Sequence, residues 1–169
     1  MAAGYLGLGT NVGDRRANLQ DGLDALDAAG VRVTASSSTY DTDPVGEILD
    51  QPDFLNCCLQ IETDLAPEAL LDAAKAIEVA LGRDLAAPRH SPRPLDIDLL
   101  LLGDEPYRSE RLTLPHAEVA QRRFVLIPLV ELDPGLTLPD GLRLADRLAE
   151  LPVDEGVRLA GPPLRVLPG

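Results

Sequence analysis

The stretch from Pro92 to Gly103 (PRPLDIDLLLLG) limits this chain's fold more tightly than any other. Pro88, Pro92 and Pro94 exclude regular structure up to Leu95. The apolar run Leu99 to Leu102 is stopped at once by Gly103-Asp104-Glu105, far short of the length a helix needs to cross a membrane. What remains is a short apolar strand, Ile97 to Leu102, entered through Asp96 and Asp98. The two-residue period of a strand puts both carboxylates on one face. Paired carboxylates repel each other and need a reason to be together. A divalent cation supplies one, and Mg²⁺ prefers oxygen ligands and bridges to phosphate oxygens. Arg93 lies just upstream of the pair.

Charge sharpens this. The formal net charge is −13, which argues against a nucleic-acid surface. Yet seven of the 15 basic residues lie between Arg83 and Arg123, together with both histidines, His90 and His116. An acidic chain that gathers arginines beside an Asp-x-Asp pair suits a small polyanion carrying a metal. Cys57 and Cys58 are adjacent and are the only cysteines, which argues against a disulfide framework or a Cys-based zinc site. The N-terminus has no basic region followed by an apolar run, and no membrane span is expected. A cytoplasmic protein of one domain, residues 1–169, is expected.

The order of elements follows from periodicity. Gly4 to Gly9 reads as a glycine-rich strand and 10–14 as a turn. Leu19, Leu23 and Leu26 recur at helical spacing up to Gly30. Val31 to Thr39 alternates as one strand, 41–53 is a loop, and Phe54 to Thr63 is a strand. Pro67 opens a helix that runs to Leu81, and the Asp-x-Asp strand follows. Strand, helix, strand, strand, helix, strand is the ferredoxin-like split β-α-β unit, an α+β fold with a mostly antiparallel sheet and two helices on one face. Beyond it, Glu118 to Leu132 reads as two short helical pieces separated at Pro128, and Leu144 to Leu151 as another helix. The proline-rich tail 161–169 is expected to be loosely held. Gly7, Gly9 and Gly13 do not have the spacing of a dinucleotide fingerprint.

Several segments, in order, carry a family resemblance: Gly9-Thr10-Asn11-Val12-Gly13-Asp14, 40–46 (YDTDPVG), 51–56 (QPDFLN), 92–98 (PRPLDID), 111–116 (RLTLPH) and 122–129 (RRFVLIPL). Together they resemble the 6-hydroxymethyl-7,8-dihydropterin pyrophosphokinases of folate biosynthesis. The resemblance implies transfer of pyrophosphate from ATP to the pterin's hydroxymethyl oxygen, with AMP released. It implies that Asp96 and Asp98 hold two Mg²⁺ ions and that Arg83, Arg89 and Arg93 act on the phosphates. The implied ATP set adds Lys75, Glu78, Ile97, Arg111, Thr113, His116 and Arg122. The implied pterin set is Thr42, Asp43, Val45, Phe54, Asn56, His90, Arg93 and Phe124, with the two phenylalanines flanking the bicycle and Asn56 reading its edge. A monomer is implied.

The chain departs from the family in its covering loop. His90 stands where an aromatic residue is common, Ser91 replaces a usual glycine, Leu85 and Ala117 replace polar or aromatic residues, and Asp43 replaces a proline. Two other readings stay open at this point. Another Mg²⁺-dependent phosphotransferase or nucleotidyltransferase on the same core would release ADP or pyrophosphate. A nonenzymatic ligand-binding module would leave the carboxylates and arginines unexplained.

Overall fold

A computed structural model describes residues 1–43, 52–82, 94–152 and 156–167. The chain runs β1 (Ala2–Thr10), α1 (Arg15–Ala28), β2 (Val31–Ser36), β3 (Thr39–Thr42), β4 (Phe54–Thr63), α2 (Pro67–Ala80) and β5 (Asp96–Leu102). A two-strand hairpin, β6 (Tyr107–Arg108) and β7 (Thr113–Leu114), comes next, then α3 (Arg123–Leu132), α4 (Leu144–Glu150) and β8 (Val157–Gly161). Asp14 caps α1 by accepting the Ala17 N–H at 3.1 Å, and Pro67 sits in the first turn of α2, where its missing N–H costs nothing. No helix among the described residues is long and apolar enough to cross a membrane.

The sheet order is β5-β1-β4-β3-β8, with β2 also pairing with β4, and every pairing is antiparallel. With β2 and β3 taken as one broken strand along the same side of β4, this is the ferredoxin-like arrangement that the element order predicts. The break is the first difference from the sequence reading, which runs Val31 to Thr39 together. At Ser37 the backbone N–H donates to the Cys58 carbonyl at 2.9 Å, while the Cys58 N–H turns to the Ser37 hydroxyl at 2.9 Å. A serine side chain thus replaces a ladder carbonyl and splits the strand.

The sheet carries a core on each face. On one face, α1 and α2 pack Leu19, Leu23, Leu26, Leu70 and Ala74 against Leu6, Leu8, Leu59 and Ile61. On the other, α3 and α4 bring Leu126, Leu129 and Leu144 against Tyr5, Cys58, Leu100 and Leu101. The run Leu99 to Leu102 serves both cores through a bulge: Tyr5 opposes Leu101 and Leu6 opposes Leu99, so Leu100 is the extra residue. Leu99 faces α1 and α2, whereas Leu100 and Leu101 both face α3 and α4.

A further difference lies beyond β5. Residues 118–121 form a turn, and α3 continues through Pro128 without a break. Pro128 removes one helical hydrogen bond, yet it is a buried residue of the helix. The described part of the C-terminal segment is tied to the body. Arg16 donates to the Pro162 and Pro163 carbonyls, each at 2.8 Å, Gln20 exchanges hydrogen bonds with Arg165, and Leu164 is buried.

Candidate active site

Strand register builds a floor on the α3 side of the sheet. Gly9 lies between Asp96 on β5 and Asn56 on β4, and Gly7 lies between Asp98 and Cys58. Asp96 and Asn56 are therefore two strand spacings apart, roughly 10 Å, with no side chain between them. A Cβ built at Gly9 would collide with Asn56 Oδ1, so only glycine leaves this amide in place. At Gly7 a Cβ would meet Leu100 at 3.6 Å, an ordinary contact. The pair of glycines makes a flat shelf with carboxylates along one side and an amide along the other.

That shelf is the base of a cavity whose lining includes Asp96, Asp98, Thr42, Asp43, Phe54, Asn56, Glu118, Arg122 and Phe124. At the amide side, Asn56 Nδ2 donates to Thr42 Oγ1 at 2.6 Å. This fixes the amide's orientation and leaves Oδ1 over Gly9 as an acceptor. Thr42 and Phe54 are the last pair of the β3–β4 ladder. Phe124 reaches the cavity from the first turn of α3.

Glu131 holds α3 in place, accepting from the Ser38 N–H at 2.8 Å and the Ser38 hydroxyl at 2.9 Å. It also accepts from the Tyr40 hydroxyl at 2.5 Å. Burial, reinforced by that bond to Glu131, pushes the Tyr40 phenol well above its ordinary range. Burial raises the Cys58 thiol too, with the charges of Cys57 and Asp98 adding to it, so the sulfur in the floor stays protonated and unreactive.

At the far end, Glu118 Oε1 accepts from Arg122 Nη2 at 3.1 Å and holds the guanidinium against the cavity. The Glu118 backbone N–H donates to His116 Nδ1 at 3.1 Å. A neutral His116 ring therefore carries its proton on Nε2. The His116 N–H is tied to the Leu100 carbonyl at 2.9 Å, placing this residue beside the carboxylate strand.

Other residues of the implied ATP set lie elsewhere. Glu78 is fully buried on the α1/α2 side. It accepts the Ile97 N–H at 2.7 Å and stands 3.5 Å from Lys75 Nζ. Because β5 is the sheet's edge, Glu78 takes the place of a neighbouring strand for the residue between the two carboxylates. Ile97 itself is buried in the same core. Arg111 is paired with Glu68 at 3.3 Å and Asp72 at 2.5 Å on α2. Tyr107 and Ser109 donate to the same Glu68, at 2.8 and 2.7 Å, and hold its carboxyl below the usual range. Thr113 is exposed on β7, and neither it nor Arg111 is part of the cavity lining. Val45, Arg83, Arg89, His90 and Arg93 lie outside the described residues.

The cavity also includes residues that the sequence reading passes over: Gly7, Gly9, Cys58, Glu118 and Val125. The alternation Gly7-x-Gly9 was visible, but its meaning depends on which residues oppose it across the sheet. For Glu118 the available signal was its spacing from Arg122, four residues on.

The family model for 7,8-dihydro-6-hydroxymethylpterin-pyrophosphokinase (HPPK) matches residues 5–134. The 2-amino-4-hydroxy-6-hydroxymethyldihydropteridine pyrophosphokinase of Pseudomonas aeruginosa is 43% identical over 160 residues, covering 93% of this chain and 96% of that protein. The protein of the same name from Methylorubrum extorquens is 43% identical over 152 residues, covering 89% of this chain and 94% of its own length. Among solved structures, Plasmodium falciparum HPPK-DHPS with pteroate superposes with a TM-score of 0.73 at 12% identity. That match takes in 92% of this chain and only 47% of the longer one, and it speaks to the fold alone.

Proposed function

This chain belongs to the 7,8-dihydro-6-hydroxymethylpterin-pyrophosphokinase family, and from that premise we propose that it transfers pyrophosphate from ATP to 6-hydroxymethyl-7,8-dihydropterin. The hydroxymethyl oxygen attacks the β-phosphorus. A new O–P bond forms, the bond from that phosphorus to the α–β bridging oxygen breaks, AMP leaves with that oxygen, and the hydroxyl proton passes to solvent. The observation that supports this best is the glycine shelf, with Asp96 and Asp98 on one side and the Asn56–Thr42 pair on the other.

Such a transfer needs alignment and charge stabilisation more than covalent help from the protein. Asn56 Oδ1 accepts from the pterin's edge while Thr42 keeps the amide from turning. Phe54 and Phe124 take the two faces of the bicycle, an apolar slot with one polar edge. Arg122, held by Glu118, faces phosphate oxygens, and His116 donates from Nε2.

Two same-face carboxylates are hard oxygen donors and fit Mg²⁺. Asp96 and Asp98 would hold the ions, and bound Mg²⁺ would offset phosphate charge and make the hydroxyl easier to deprotonate. Arg83, Arg89 and Arg93 are assigned to the phosphates, and Lys75 and Arg111 to the nucleotide's outer end.

The test is product identity. With ATP, Mg²⁺ and the hydroxymethyl dihydropterin, AMP and a pyrophosphorylated pterin are expected in equal amounts. Release of ADP or of free pyrophosphate in their place would overturn the reading.

A further inference from the structure

We propose that Arg158, on the C-terminal strand β8, is a positioning residue for the acceptor end of the cavity, an inference that rests on the pterin reading above. The β3–β4 ladder ends at the pair Thr42 and Phe54, both of which line the cavity. The next residue on each strand, Asp43 and Asp53, is an aspartate, and like charges at facing positions push strands apart. Arg158 spans them. Its Nη1 donates to Asp43 Oδ1 at 3.2 Å and its Nη2 to Asp53 Oδ2 at 2.9 Å. The Asp43 N–H is tied to the Gly156 carbonyl at 2.9 Å, just before β8.

Arg15 of α1 repeats the device one step inward. Its Nη1 bonds Asp41 Oδ1 at 2.7 Å and the Asp53 carbonyl at 3.2 Å. Arg15 thus fixes the backbone of Asp53, while Arg158 fixes the two side chains that would otherwise repel. Through Thr42 the effect reaches Asn56, whose amide Thr42 holds. A guanidinium suits this role because two of its nitrogens address two carboxylates at once, which an ammonium cannot reproduce in the same geometry. Asp43, which departs from the family's proline, therefore has a partner elsewhere in this same chain.

Two measurements on the full chain test the proposal. Hydrogen exchange in ligand-free protein reads the ladder's end directly: Arg158→Met should speed exchange of the Thr42, Asp43 and Phe54 amides and leave β1 and β5 unchanged. Calorimetric titration with the hydroxymethyl dihydropterin, in the presence of a non-hydrolysable ATP analogue, should give a Kd about two- to fivefold weaker, the upper part of the range for exposed ion pairs. Affinity for the ATP analogue alone should stay within about twofold. Arg158→Lys should fall between, and adding Asp43→Asn to Arg158→Met should restore part of the loss by removing the repulsion. Unchanged exchange at the ladder's end, or equal weakening of both ligands, would overturn the proposal. If the wild-type chain bound the ATP analogue but no pterin, the functional reading would fail, and the exchange data would still decide whether Arg158 sets the ladder.

Discussion

Leu6, Leu8 and Leu59 on one face of the sheet alternate with Gly7, Gly9 and Cys58 on the other, along the same two strands. The first set is buried against α1 and α2, and burying each side chain stabilises the fold by about 2 kcal/mol. In the second set the two glycines leave room for a ligand, while Cys58 packs into the core under α3 and α4. The α1/α2 face therefore serves stability, whereas the α3/α4 face is shared between a second core and the candidate site, and the two-residue period keeps the two faces apart on the same strands. The separation predicts that substitutions on each face should change different observables.

The largest effect is expected on the cavity face. Asp96→Ala and Asp98→Ala should each lower AMP formation by about 10²- to 10³-fold, the loss typical when an organiser of transition-state charge is removed. Their thermal midpoints should stay near wild type, since Asp96 is only half-buried and Asp98 is exposed. Leu59→Ala on the opposite face should do the reverse. Leu59 is fully buried, so the expected cost is about 2–5 kcal/mol in denaturant unfolding, with kcat per folded molecule unchanged. Full activity in either aspartate variant would break the comparison.

Gly9→Ala tests the shelf more finely. The added methyl would displace Asn56, and losing the amide's contact with the acceptor should weaken pterin binding by about 10- to 100-fold. ATP-analogue binding, measured alone, should move much less. Similar losses for both ligands would mean that Gly9 serves the strand rather than the shelf.

The helices and the central strands were legible in the sequence because their apolar residues repeat at 3.6 or 2 over long enough segments. Asp96, Asp98, Asn56, Phe54 and Phe124 could be named from motifs. Parts of the fold without a period were not. The hairpin of β6 and β7 has two residues per strand, and β8 offers only five. Ser37 looks like any alternating strand residue until its hydroxyl is seen to replace a carbonyl. The glycines of the shelf carry no chemistry of their own, and their role comes from register, which is a long-range property. Arg158 could not be linked to Asp43 by spacing, because 115 positions separate them.

Glu78 is where the two faces meet, and a smaller, mixed effect is expected there. It reaches from the α2 side to the N–H of Ile97, between Asp96 and Asp98. Glu78→Ala leaves that N–H without its acceptor and should cost about 1–3 kcal/mol of stability. It should also lower kcat by loosening Asp96 and Asp98, and Glu78→Gln, which keeps an acceptor, should recover much of it. A rise in ATP KM alone, with kcat and stability intact, would instead put Glu78 on the nucleotide.

The smallest effect separates the faces by pH. Burial raises the Cys57 thiol, which belongs to the core under α1 and α2, from 9.0 to about 12. On the other face, burial and Asp133, which accepts from the Tyr5 hydroxyl at 3.2 Å, raise Tyr5 from 10.0 to about 12. In both cases the unfolded chain gives up its proton first, so base favours unfolding. The contribution from Cys57 is complete below pH 9.0 and declines up to about 12, and that from Tyr5 is complete below 10.0 and declines over the upper part of the same window. Cys57→Ala should therefore flatten the fall in thermal midpoint from its onset, whereas Tyr5→Phe should flatten only its upper part. Tyr40 and Cys58, both raised, keep a residual slope in either variant. The same flattening profile for Cys57→Ala and Tyr5→Phe would mean that the two faces unfold with a shared proton release rather than with separate ones.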